Sequence, residues 1–184
     1  MQRDLVLRAT KGDHDAFASL ATNAYGRLHR TAQLILRRED LASDAVQEAL
    51  TSAWLHIRAV RDPDRFDAWL NRLVVRACYR ELRRAKRGPI EIHVDTIEGP
   101  GIDDAVGSLA DRDQLERGFR RLSAEHRAAL VVHHYLGLPD AEAATVLDVP
   151  MGTYKSRLNR AHLALRAALE ADARVAGIGK ESVA

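Results

Sequence analysis

Residues 140–166, DAEAATVLDVPMGTYKSRLNRAHLALR, carry the pattern that decides the fold. Ala143, Ala144, Val146 and Leu147 give a short first helix an apolar face. Asp148, Val149 and Pro150 then turn the chain, and Pro150 stands where a helix can begin without losing a hydrogen bond. In the second helix Tyr154, Leu158, Ala161 and Leu165 recur at i, i+4, i+7 and i+11 and predict one buried stripe, leaving Thr153, Ser156, Arg157 and Arg160 on other faces. Lys155, Arg157, Arg160 and Arg166 face no acid between residues 151 and 166. The pattern is that of a helix-turn-helix with an uncompensated basic second helix. Such a helix fits a major groove, its N-terminal residues at base edges and its cations at phosphates. A solvated basic face is the plainer reading of the charges alone, but the paired helices and the tight turn favour DNA.

Working outward, Leu115, Phe119 and Leu122 predict one more helix, Ser123 caps the next, Gly137 ends that one, and Pro139 opens the helix-turn-helix. Residues 111–176 thus form a compact four-helix domain, with residues 177–184 expected to be a disordered tail. Upstream, residues 88–110 hold four Gly, two Pro, five acids and no base, the composition of a flexible acidic linker. Its β-branched run at 90–94 could form a strand, but an isolated strand has nothing to pair with.

Residues 1–87 again show helical periodicity. Phe17, Leu20, Ala24, Leu28, Ala32 and Ile35 make one stripe. Ala42, Ala45, Val46, Ala49, Leu50, Ala53, Trp54 and Ile57 make a second, and Trp69, Leu70, Leu73 and Ala77 a third. Three helices can enclose a core, and Pro63 forbids a continuous helix through the loop at 58–65. The chain is therefore expected to be all-α, with two small helical domains, an N-terminal one of three to four helices and a C-terminal one of four, joined by the linker.

The third helix carries a second basic element. Arg72, Arg76, Arg80, Arg83, Arg84 and Arg87 line one face, and residues 72–87 hold seven bases against Glu81 alone. An exposed helix held by ion pairs is the alternative, but one acid cannot pair seven bases, so nucleic acid is favoured. Trp54, Phe66 and Trp69 lie close by in sequence; two of them read more readily as core than as ligand, although a rigid loop beside a basic helix can capture an unstacked base. Asp44, Gln47 and Glu48 share one face of the second helix at i, i+3 and i+4, by themselves an ordinary polar face.

Charge is segmented: residues 1–87 carry 17 bases and 11 acids, residues 88–110 none and 5, residues 111–184 carry 11 and 10. The excess of Arg over Lys can reflect genome composition alone. The single Cys78 cannot form an internal disulfide, no apolar run approaches membrane-spanning length and the first residues lack a signal-peptide core, so a cytoplasmic protein without membrane insertion is expected. No carboxylate pair, nucleophile triad or Gly-rich phosphate loop appears, so neither enzyme chemistry, a small-molecule substrate nor a cofactor is expected. His126, His133 and His134 lack the Cys or acid partners of a zinc site, and no metal is expected.

Taken together, the segments ASDAVQEALTSAW, FDAWLNRLVVRACYRELRR and LSAEHRAALVVHHYLGLPDAEAATVLDVPMGTYKSRLNRAHLALR, in that order and spacing, resemble bacterial sigma factors of the small extracytoplasmic-function group. That group keeps only the family's second and fourth domains, and the resemblance spans nearly the whole chain. It implies that Asp44, Gln47 and Glu48 grip the core RNA polymerase. Arg61 and Arg65 of the loop would hold a flipped base of the minus-ten element, read by the helix bearing Arg72, Arg76, Arg80, Arg83 and Arg84. Thr153, Lys155, Ser156, Arg157 and Arg160 would read the minus-thirty-five element, and the acidic linker would thread the polymerase cleft towards the RNA exit path. An anti-sigma partner is also implied. Arg76 and Arg80 depart from the family's Asn and Asp, Asp148 from its turn glycine and Tyr154 from its valine. Promoter DNA and core polymerase are the partners this reading expects. A stand-alone helix-turn-helix repressor, which would normally dimerise, and a module whose basic faces bind an acidic protein are its rivals.

Overall fold

The computed structural model describes the backbone of residues 1–85 and 109–181 and the side chains of residues 1–84 and 113–172. Every regular element among the described residues is helical. The chain divides into two compact units, Met1–Ile97 and Glu98–Ala184. The 90–94 run, Lys86, Arg87 and most of the expected linker lie outside the described residues.

Four helices build the first unit: α1 (Gln2–Ala9), α2 (His14–Leu36), α3 (Glu39–His56) and α4 (Phe66–Ala85). The three sequence stripes correspond to α2, α3 and α4. Helix α1 escapes a periodicity reading because its eight residues bury only Val6 and Ala9. Gly12, at φ 95°, turns the chain out of α1, and the Asp13 carboxylate accepts the Ala16 N–H to start α2. That bond, then the Arg8 guanidinium, holds Asp13 below the usual carboxylate range. Small buried residues on α3 (Ala42, Ala45, Ala49, Ala53) let it lie close to α2 and α4. Because α4 packs on both α2 and α3, its buried arc is wider than one stripe. Phe66, Leu70, Val74, Val75, Ala77 and Cys78 are all buried, whereas Leu73 is only half-buried. Each large side chain sequestered in this way contributes about 1.5 to 3 kcal/mol. Burial also pushes the Cys78 thiol well above its ordinary value, so it is inert packing.

The aromatic residues resolve as packing. Trp54 lies against His14 and Phe17 of α2, ring centroids 4.4 and 5.1 Å away. Phe66 is core, and Trp69 covers it at 5.8 Å.

The second unit holds α5 (Leu109–Arg120), α6 (Ala124–Leu130), α7 (Asp140–Val146) and α8 (Met151–Glu181), with one π-turn at Val131–Tyr135 between α6 and α7. Ser123 caps α6, its hydroxyl accepting the His126 N–H at 3.2 Å. Gly137, at φ 61°, closes the π-turn. Leu122, Leu130 and Ala161 form a core into which Phe119, Leu158 and Leu165 pack. Asp172 of α8 accepts Arg121 at 2.5 Å and Arg117 at 3.2 Å, fixing α5 to α8. Two expected boundaries shift. Helix α5 begins at Leu109, inside the segment expected to be linker, and α8 stays helical through Gly177 to Glu181. A helical Gly costs only about 1 kcal/mol relative to Ala, too little to stop a helix lacking a proline or left-handed cap.

Candidate nucleic-acid interface

Helix α7 ends in a paired closure: the Val149 N–H donates to the Ala144 carbonyl at 3.1 Å and the Asp148 N–H to the Thr145 carbonyl at 3.3 Å. This needs a left-handed residue, and Asp148 supplies it at φ 54°. The turn aims α8 across α7. Ala143, Ala144, Val146 and Leu147 are buried on one side of the joint, Tyr154 and Ala161 on the other. Burial, then the nearby Asp140 carboxylate, pushes the Tyr154 phenol up to about 12, so it stays neutral in the core. Packing these residues inward leaves Thr153, Lys155, Ser156 and Arg160 exposed and Arg157 half-buried. The Ser156 hydroxyl donates to the Thr153 carbonyl at 3.0 Å and Arg160 Nε to the Ser156 carbonyl at 3.2 Å. The basic face is not wholly without an acid, because Lys155 Nζ lies 3.8 Å from the Asp140 carboxylate of α7.

In the first unit Asp44 and Gln47 are exposed on α3, with Glu48 half-buried beside them. They line an open groove of about 580 Å³ that also includes Thr51, Leu55, Glu81 and Arg84. The Arg row of α4 forms the neighbouring wall. Glu48 Oε1 accepts Arg80 Nε at 2.6 Å, and its Oε2 lies 3.7 Å from Arg84, which also pairs with Glu81. This corrects the expectation that Glu81 is the row's only acid, since α3 contributes a second from 32 residues away. Arg76 and Arg83 are exposed, and Arg72, half-buried, donates to the Ala68 carbonyl at 3.3 Å.

The loop before α4 is ordered by its own acids. Asp62 accepts the Asp64 N–H at 3.0 Å and stands 3.6 Å from Arg65; Asp64 in turn accepts Arg3 of α1 at 2.9 Å. Arg61 and Arg65 are exposed on this loop. Arg27 of α2, which sequence reasoning passed over, donates to Asp67 at 2.7 Å and to Asn71 at 2.5 Å, anchoring the start of α4. Leu55 was passed over too. It is 70% exposed beside the acidic face, and its spacing from Asp44, Glu48 and Thr51 (i+11, i+7, i+4) was the available signal.

Residues 20–88 match the sigma-70 region 2 family and residues 112–165 the sigma-70 region 4 family. Over 162 residues the chain is 35% identical to the ECF RNA polymerase sigma factor SigM of Mycobacterium tuberculosis, covering 88% of this chain and 81% of that protein. The chain belongs to the extracytoplasmic-function sigma factors of the sigma-70 family. It is also 30% identical over 175 residues to the ECF RNA polymerase sigma-E factor of Escherichia coli, covering 88% of this chain and 90% of that one. Its fold is similar to that of the sigma factor RpoE of Bartonella quintana, solved with the anti-sigma factor NepR (TM-score 0.61, 24% identity, 85% of this chain and 98% of that one). This sigma factor directs RNA polymerase to promoters and is not an enzyme; membership of the family sets aside the stand-alone repressor. No helix among its described residues is long and apolar enough to cross a membrane.

Proposed function

We propose that this sigma factor binds core polymerase through the Asp44, Gln47 and Glu48 face of α3 and holds the minus-ten element with Arg61, Arg65, Arg72, Arg76, Arg80, Arg83 and Arg84. In the same reading Thr153, Lys155, Ser156, Arg157 and Arg160 of α8 read the minus-thirty-five element. The observation that carries this assignment is that each compact unit turns an exposed basic helix face outward, α4 in the first and α8 in the second, while its apolar face is buried. Two weak sites on one chain act through effective concentration, so the pair selects a bipartite promoter that neither unit would hold alone. We place residues 1–87 as the polymerase-binding and minus-ten domain, the unit that opens with α5 at Leu109 as the minus-thirty-five domain, and the segment between them as the tether threading the polymerase cleft. The protein acts in the cytoplasm, in keeping with its buried, unpaired Cys78. An anti-sigma partner covers these same faces; the solved complex of the Bartonella protein with NepR supports that class of partner.

Run-off transcription from a genomic promoter library, with core polymerase alone and with core plus this protein, tests the reading. Discrete new transcripts preceded by two spaced boxes are expected, and Asp44→Arg combined with Glu48→Arg should abolish them. Transcripts that persist with wild-type core affinity in that variant would remove the α3 face from the assignment.

A further inference from the structure

The second unit carries a histidine pair that the promoter-reading assignment does not use. His134, in the π-turn at Val131–Tyr135, and His162, on α8, bring their Nε2 atoms within 2.8 Å of each other, and both side chains are exposed. Their rings meet edge-on, centroids 5.1 Å apart at 71°. Two residues 28 apart in sequence, on different elements, thus bring the same ring nitrogen of each within hydrogen-bond distance on an exposed surface. We propose that His134 and His162 form a two-imidazole site for a tetragonal divalent transition-metal ion of the copper or nickel class.

The separation as it stands fits one geometry. Two imidazole nitrogens each about 2.0 to 2.1 Å from an ion lie about 2.9 Å apart in cis positions at a right angle, but about 3.3 to 3.4 Å apart at a tetrahedral angle. The observed 2.8 Å matches the first and would have to open by roughly half an ångström for the tetrahedral arrangement zinc prefers. Among the described residues no set of three or more His, Cys, Asp or Glu could hold a metal ion, so water completes the coordination. His133 lies edge-on to His134, ring centroids 4.6 Å apart, and itself faces Asp140 at 3.8 Å and the Tyr154 hydroxyl at 3.4 Å. Without metal one ring donates its Nε2 proton to the other. On binding, that proton moves to Nδ1 through solvent and both Nε2 lone pairs face the ion. The ion then joins the segment before the helix-turn-helix to α8 and stabilises the folded unit by mass action.

The test is titration of the full-length protein with CuCl2 and with NiCl2, followed by calorimetry and, for copper, by electron paramagnetic resonance. One tetragonal Cu2+ per chain with two nitrogen donors is expected, and it should raise the thermal unfolding midpoint. His134→Asn and His162→Asn should each weaken binding at least tenfold and abolish the thermal shift. His126→Asn should leave both unchanged. His162 is exposed on a helix, so its variant should keep the wild-type circular dichroism spectrum. Copper binding that survives both substitutions, as at the terminal amine, would overturn the site, as would an absence of binding or tighter binding of zinc than of copper.

Discussion

Glu48 stands between the acidic face of α3 and the Arg row of α4, which makes Glu48→Gln a test of both. The substitution removes one charge and keeps the side-chain shape, taking the formal net charge from +2 to +3. In the folded protein Glu48 Oε1 accepts Arg80 Nε at 2.6 Å and Oε2 lies 3.7 Å from Arg84. The side chains are 31% exposed for Glu48, 42% for Arg80 and 64% for Arg84, so solvent screening limits the loss of stability to about 1 kcal/mol. For a unit of this size that lowers the melting temperature by roughly 4 to 8 °C at most. The larger effect falls on nucleic acid. Each guanidinium freed to meet a single-strand phosphate steepens the dependence of log affinity on log salt by about 0.7. Arg84 keeps its pair with Glu81, so freeing Arg80 adds about 0.7 to the slope, or roughly a further two- to threefold loss of affinity per fourfold rise in salt. Fluorescence anisotropy of a labelled single-stranded oligonucleotide across such a range reads this directly. Glu39→Gln is the control: it removes the same charge from a residue that pairs with His29 rather than with α4. A slope that moves equally in both variants would mean that only net charge matters. An unchanged slope in Glu48→Gln, with the fold intact, would refute the claim that this acid holds back the Arg row.

Three further outcomes are expected. Arg157→Ala should weaken binding to the upstream promoter box by about 1 to 3 kcal/mol if the side chain contacts a base; gel-shift titration showing an equal loss on scrambled DNA would make the contact one to phosphate. Asp148→Val should destabilise the protein by about 1 to 2 kcal/mol in urea, because a β-branched residue is strained at the observed φ of 54°, whereas Asp148→Gly should be tolerated. Because burial and neighbouring imidazoles lower the proton affinity of His134 in the folded state, its contribution to stability is fully present above the unfolded histidine value of about 6.5. It is lost as pH falls through that value towards the lower folded one. Urea midpoints followed from pH of about 7.5 down to about 5 should therefore drop more steeply for the wild type than for His134→Asn.

What the sequence made legible depended on how far apart the interacting residues are. The helix-turn-helix was readable because each decision in it is local. Ala143 to Leu147 set the first face, Asp148 is one of the few side chains that tolerates the left-handed turn, and the i+4 and i+7 recurrence from Tyr154 sets the second face. Ser123 as a cap and Gly137 as a terminator follow the same short-range logic. The π-turn at Val131–Tyr135 was not readable, because one added residue per turn leaves no mark in a 3.6-residue period. It is also what helps to bring His134 opposite His162. Helix α1 was missed because two buried side chains cannot define a period. The Arg row was read wrongly as lacking acids outside its own helix. Counting charges along one helix takes no account of the helix packed beside it, and Arg80 finds Glu48 only after α3 and α4 have met. The same limit applies to Lys155 and Asp140. A helix face recognised from periodicity is thus an upper bound on its free charge, and the balance left for a phosphate or a polymerase is set by tertiary neighbours. Under the proposed assignment, the polymerase face and the promoter face of the first unit therefore share one carboxylate. A protein or nucleic-acid partner that draws on either face must first compete with Arg80 or with Glu48, so occupancy of one changes the electrostatics offered to the other.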